Sequence, residues 1–229
     1  MKLINFFTRK ELANYGQPEP IKHHLPEWYR KAEDSYPSDN GGKDPGLKKC
    51  VPFLDAMISG YTLTLPFDVF VKTNEDGTLN IHWNAPPGLD NFIMERPTAL
   101  GHTMPRPAGH YTNHLVWRGF WGMKTPRNWS LMVVHPLNRF DLPFTTTAGI
   151  IDSDEFFASG NLPFFIKEGF IGTIPAGTPI AQLIPIKRAK WKSIPNNKGL
   201  VDYETIHGTT VRTEGKSYKK IFWHRKEYN

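Results

Sequence analysis

The chain has 229 residues, a formal charge of +6, one cysteine and a 13% aromatic share that includes seven Trp and fifteen Phe. That length suits one β-rich core with extensions, and the aromatic content excludes a chain that is disordered through its middle. Lone Cys50 excludes an internal disulfide framework and a cysteine-built zinc site and fits a reducing compartment, with a small buried apolar group as its expected role.

The charge is not spread evenly. From Lys187 onward eleven Lys or Arg face four Asp or Glu, which leaves the first 186 residues at minus one. A basic arm of this kind either attracts a polyanion or docks on a neighbouring subunit. The two readings stand level, and nucleic acid is not the expected partner. The first eleven residues carry too short an apolar run for a standard secretory signal. Gly169 to Ile186 is low in charge but is broken by Pro175, Pro179 and Pro185, so no membrane span is expected there.

Taken in chain order, residues 1–47 read as an N-terminal arm. It holds one helical turn within Leu25 to Glu33, then turn chemistry from Ser35 to Gly46. Residues 48–192 read as the β domain. Its short β-prone runs are Tyr61 to Leu65, Asp68 to Lys72, Leu79 to Trp83 after the Glu75-Asp76-Gly77 turn, His114 to Trp117, Ser130 to Val134, Phe164 to Ile166, Gly169 to Ile174 and Ile180 to Ile186. Many short strands with Gly and Pro between them predict an all-β fold, a sandwich or barrel. Residues 193–229 read as a basic, aromatic C-terminal extension that packs on something.

Four segments in order carry a resemblance. They are Ser59-Gly60-Tyr61-Thr62-Leu63, Pro126-Arg127-Asn128-Trp129-Ser130, Gly149-Ile150-Ile151-Asp152-Ser153-Asp154, and Ala176-Gly177-Thr178-Pro179-Ile180-Ala181-Gln182-Leu183. Together they resemble the motifs of the trimeric dUTPase and dCTP deaminase superfamily. Residues 25 to 192 also resemble an uncharacterised group of proteins common in tailed bacteriophages. The resemblance implies a dUTPase-like jelly roll, or β-clip, assembled as a homotrimer with pockets between subunits. It implies Asp152 as the residue that contacts a sugar and helps to activate water, Arg127 and Ser130 as phosphate ligands, and Gln182 on a strand facing the site, with Tyr61 in the first motif.

The departures from that family are specific. Thr62 stands where the family has the Asp of its metal and triphosphate side, and Asp55 or Asp68 would have to substitute. Glu155 stands where an aromatic is expected, and Asn128-Trp129 replaces small residues. The glycine-rich fifth motif survives only as Gly208, Arg212, Gly215 and Phe222. A standard dUTPase is therefore not expected.

Other constellations have bland and functional readings side by side. His102, His110 and His114 suggest a metal, but residues 110 and 114 on a strand lie about 13 Å apart. The segment His135 to Asp141 reads as a loop in which Arg139 either binds an anion or pairs with Asp141, and His135 is positioned to titrate. Asp152 and Asp154 sit two apart, either sharing a cation, with Asp154 as a metal candidate, or solvated in a turn. Trp117, Trp121 and Trp129 with Phe120 and Arg118 form an aromatic cluster, either a core or a surface on which a base stacks.

The leading expectation is a phage-associated protein that binds, and in its enzyme form hydrolyses, a nucleotide or related phosphorylated small molecule at a subunit interface. Magnesium is the cofactor that reading would use. The competing expectation is a non-catalytic assembly or virion protein. Either places the chain in the cytoplasm of a phage host or in the virion.

Overall fold

The computed structural model describes residues 2–97, 103–195, 199–212 and 218–229. The chain begins with β1 (Asn5–Phe7) and β2 (Glu19–Pro20), then α1 (Glu27–Lys31) and a hairpin of β3 (Ser35–Pro37) and β4 (Lys43–Pro45). There follow α2 (Val51–Ile58), β5 (Tyr61–Thr64), β6 (Val69–Thr73), β7 (Leu79–Trp83), β8 (Ile93–Glu95), β9 (Leu115–Arg118) and β10 (Gly122–Lys124). The remainder is β11 (Trp129–Val134), β12 (Phe144–Thr146), β13 (Gly149–Ile151), β14 (Asn161–Ile166), β15 (Gly172–Ile174), β16 (Pro179–Lys187) and α3 (Leu200–Arg212).

The fold is mostly β, built from antiparallel sheets. The largest has five strands in the order β13-β11-β16-β5-β2, the next has four in the order β12-β14-β9-β8, and β15-β6-β7 makes a third. Antiparallel pairing suits sheets with one buried face, and β7 shows it, with its side chains alternating between half-buried and exposed. Strand β16 instead lies between two partners, and its first five residues are all buried.

One hydrophobic cluster joins the three sheets. Leu131, Val133 and Leu183 come from the five-stranded sheet, Trp117, Phe144 and Phe164 from the four-stranded one, and Val69 and Ile174 from the third. The Trp117 ring stacks on Phe164, and its Nε1 donates to Thr146 Oγ1 at 3.3 Å. Thr146 Oγ1 in turn donates to the Ile180 carbonyl at 2.6 Å, which ties the four-stranded sheet to β16. Full burial of each such large apolar side chain contributes about 1.5–3 kcal/mol. Trp117 and Trp121 therefore belong to the core.

Several expectations are corrected. Val51–Ile58 is a helix where only strands were expected beyond Cys50, with Pro52 in its first turn, where a missing N–H costs nothing. Cys50 is exposed rather than buried, because it sits at the N-terminal boundary of that helix. The polar stretch beyond Trp191 contains the helix α3. Within residues 1–47, β1 pairs with β10 and β2 pairs with β5.

Gly60 shows why the first motif needs glycine. Its φ is +82°, and a Cβ there would lie 2.1 Å from the Leu183 carbonyl oxygen. The close approach lets β5 lie against β16 with Tyr61 opposite Leu183 and Thr62 opposite Gln182.

Candidate functional site

Strand register brings the second and third motifs together. In β11 and β13 Leu131 is opposite Ile151, so the next step along each strand sets Ser130 beside Asp152. In β11 and β16 Ser130 is opposite Ile186 and Trp129 opposite Lys187, which carries Arg188 to Asn128. The Arg188 N–H donates to the Asn128 carbonyl at 2.9 Å. Three strand ends thus converge on one small polar cluster.

Within that cluster Ser130 Oγ donates to Asp152 Oδ1 at 2.6 Å. Arg188 Nη1 lies 3.1 Å from Ser130 Oγ, 3.2 Å from Asp152 Oδ1 and 2.8 Å from Asp154 Oδ1. Its Nη2 donates to Asp154 Oδ2, which also accepts from the Asn128 N–H at 2.8 Å. Asn128 has φ of +67°, a left-handed conformation that asparagine tolerates better than most residues and that aims its N–H at the carboxylate. Below the cluster, Thr125 Oγ1 donates to the Trp129 carbonyl at 2.7 Å. Its single hydrogen is then used, so Ser153 Oγ is the donor in their 3.0 Å contact.

The two carboxylates differ sharply. The Asp154 side chain is 5% exposed and forms a forked pair with Arg188, whereas the Asp152 side chain is 66% exposed. Hydrogen bonding by Arg188, and the Asn128 N–H after it, holds the Asp154 carboxyl at about 2. The same bond to Asp154 raises Arg188 above its ordinary value. The cation that Asp152 and Asp154 share is therefore a guanidinium. Asp152 keeps Oδ2 free of hydrogen bonds among the described residues, so it remains an acceptor for water or ligand. A carboxylate fixed through one oxygen and open at the other has the form of a general base.

Ser130 differs from its expected role. It is buried, and its only hydrogen goes to Asp152, so it positions the carboxylate rather than donating to phosphate. Arg127 is exposed beside this cluster and makes no hydrogen bond or ion pair among the described residues, which leaves its fork available for an anion. Arg188 was missing from the sequence-based set.

The other expected ligands lie elsewhere. Gln182 is opposite Val134, four residues along β11 from Ser130, a separation of about 13 Å at 3.3 Å per residue. Its side chain is fully buried. Oε1 accepts from the Leu137 N–H at 2.8 Å, and Nε2 donates to the carbonyls of Ala56 at 2.8 Å and Ser59 at 2.6 Å. Gln182 therefore joins α2, β16 and the following loop, with both amide hydrogens in use. Arg139 forms a forked pair with Asp141 and donates to the His24 carbonyl, so the paired-charge reading describes it. His135 Nε2 lies 3.1 Å from the Arg139 carbonyl, and its Nδ1 accepts from the Thr146 N–H at 3.3 Å. That pattern fixes a neutral ring protonated on Nε2, and burial pushes its pKa down.

Tyr61 is covered by the end of the chain, with its ring against Tyr228 and its hydroxyl 3.3 Å from the Asn229 carbonyl. Burial, with Tyr228 next, raises its pKa. Thr62 is buried and donates to the Ala181 carbonyl. Neither proposed replacement for the first-motif Asp reaches the cluster. Asp68 accepts from the Ala176 N–H, and Asp55 accepts from Trp223 Nε1 and Lys226 Nζ. His110 bonds the Ala108 carbonyl and Thr145, while His114 is buried and stacked on Phe165. His102 and Gly215 lie outside the described residues. Gly208 falls inside α3 rather than in a phosphate loop. Among the described residues no group of three or more His, Cys, Asp or Glu is placed to hold a metal ion, and no helix is long and apolar enough to cross a membrane.

No protein-family model matches the chain, and no curated protein matches it.

Proposed function

We propose that this protein binds a nucleotide or related phosphorylated small molecule at the Asp152 cluster, in a dUTPase-like jelly roll that assembles as a homotrimer in a phage setting. The observation that carries the reading is the Ser130–Asp152 bond, because it is made by residues of two separate motifs brought together by strand register. In this reading Arg127 takes a phosphate oxygen and Asp152 accepts a hydroxyl or activates water. Hydrolysis is the enzyme form of the function; a magnesium ion, if used, would be held by the exposed Asp152 carboxylate and would supply positive charge to the phosphate. Gln182, His135 and Arg139 hold the fold away from the ligand rather than touching it. The protein would act in the cytoplasm of the phage host.

The test is a thermal-shift and mass-spectrometric turnover screen of the purified chain against nucleotides, deoxynucleotides and cyclic nucleotides, with and without magnesium. Stabilisation that disappears in both Asp152→Ala and Arg127→Ala supports the site, and turnover makes the protein an enzyme. A folded protein that responds to none of the panel overturns the reading.

A second reading, a virion or assembly component, is favoured by a different observation. Trp191 is 90% exposed and Phe140 78%, with Ile150, Phe156 and Ile171 also exposed, and contacts between copies in an assembly would bury such side chains. Sedimentation that yields assemblies larger than a trimer would favour it.

A further inference from the structure

A cavity of about 420 Å³ lies between the N-terminal segment, the loop before β8 and the end of β9. Its size is in the range of small-molecule clefts, about 300–1,000 Å³. It shares no residue with the Asp152 cluster. Its lining includes Arg9, Leu12, Asp90, Phe92, Arg118 and Phe120.

Two features of that lining select a ligand. Neither Arg9 nor Arg118 makes a side-chain hydrogen bond or ion pair among the described residues, although two guanidiniums beside one cavity repel each other. Arg118 is anchored at its backbone, where its N–H donates to the Phe92 carbonyl at 2.7 Å and it pairs with Asn161. The one carboxylate in the lining, Asp90, is turned to the Gly88 N–H at 3.3 Å. The second feature is aromatic. Phe92 and Phe120 meet edge to face with centroids 6.0 Å apart, and Thr8 Oγ1 fixes the Phe120 backbone through its carbonyl at 2.8 Å. Leu12 and Phe92 are core residues that close the apolar side.

We infer that this cavity is a binding site for a small aromatic anion, a planar ring bearing a phosphate or carboxylate. The guanidinium forks of Arg9 and Arg118 take the anion. The ring lies against Phe92, Phe120 and Leu12, where apolar contact and ring geometry favour a flat ligand.

Calorimetric titration of the full chain tests the inference, with 1-naphthyl phosphate and 1-naphthoate as probes and 1-naphthol and inorganic phosphate as controls. At least one of the two naphthyl anions binds at one per chain, at least tenfold more tightly than either control, and the stronger of the two identifies the acid group. Arg9→Gln and Arg118→Gln, both changes at exposed side chains, each weaken it at least fivefold. Asp152→Asn leaves it within twofold, which separates this site from the proposed nucleotide site. In the unaltered protein the methyl resonances of Leu12 and of Leu89, which also lines the cavity, shift on saturation. Absence of saturable binding by both anions, binding unchanged in the two Arg variants, or unmoved Leu12 and Leu89 methyls would overturn the assignment.

Discussion

Ser130 and Asp152 are twenty-two residues apart in sequence, yet Ser130 Oγ donates to Asp152 Oδ1 at 2.6 Å because β11 and β13 pair in one register. The bond holds the carboxylate at one oxygen and leaves the other to solvent. Ser130→Ala should therefore loosen Asp152 without removing it, and the proposed ligand response should weaken about tenfold, the loss of one charge-assisted bond worth about 1.5 kcal/mol. Asp152→Asn should abolish turnover if the protein is an enzyme, while the melting temperature falls by no more than a few degrees, as expected for an exposed side chain. Ligand-induced thermal shifts on the two variants check both.

The Asp154–Arg188 pair sets an acid limit. Asp154 has a folded value of about 2, below its ordinary value near 4, so the unfolded chain binds the proton first as pH falls. The stabilisation is fully present above about pH 4 and is lost as pH drops towards 2. Asp154→Asn should lower the melting temperature by a constant amount from pH 5 to 7, and the gap to the unaltered protein should close towards pH 2. Melting curves over that range, with the Asp154 carboxyl followed by carbon NMR, give the answer.

His135 acts in a different window with the same sign. Its ring is held neutral, with burial as the largest cause and Lys167 and Arg139 adding to it against the Arg139 carbonyl and Asp141. The unfolded ring takes up its proton near pH 6.5 while the folded ring does not, so stability is complete above that pH and declines below it. The imidazole should show the Nε2-protonated tautomer at pH 7 in nitrogen NMR, and His135→Gln should flatten the fall in stability between about pH 6.5 and 5.

Gln182→Leu should destabilise the protein by about 2–4 kcal/mol. The substitution leaves the Leu137 N–H and the carbonyls of Ala56 and Ser59 without partners in a fully buried site. Urea denaturation measures the loss. The same variant should retain the ligand response at the Asp152 cluster when folded, because the two lie at opposite ends of β11.

What the sequence made legible follows from how local each signal is. The Glu75-Asp76-Gly77 turn and β7 were readable because Gly77 takes φ of +80°, Asp76 accepts from the Thr78 N–H, and alternation runs the length of the strand. Helix α2 was not, since Val51-Pro52-Phe53-Leu54 reads as a buried strand until Pro52 is recognised as a first-turn residue. Arg188 was invisible for another reason. Its role depends on Trp129 pairing with Lys187, fifty-eight residues away, and no local pattern encodes that register. Gln182 was placed at the site by the motif resemblance and Arg139 by its capacity to bind an anion or pair with Asp141, but the donors of both are used by neighbours that only the folded chain brings into place.

The basic tail supplies the last prediction. Asp55 is buried, its Oδ1 has no hydrogen-bond partner among the described residues, and its Oδ2 accepts from Trp223 Nε1 at 2.8 Å and Lys226 Nζ at 2.6 Å. The basic end of the chain therefore neutralises a carboxylate on α2, and Lys22 holds the same end through the Tyr228 carbonyl. Removing the cation alone leaves a buried charge without its counter-ion, which costs more than removing both. Lys226→Met should lower stability by about 1–3 kcal/mol, and adding Asp55→Asn should restore part of it. A double-mutant cycle by urea denaturation measures the coupling. A coupling energy near zero would mean that the tail rests on Asp55 without stabilising it.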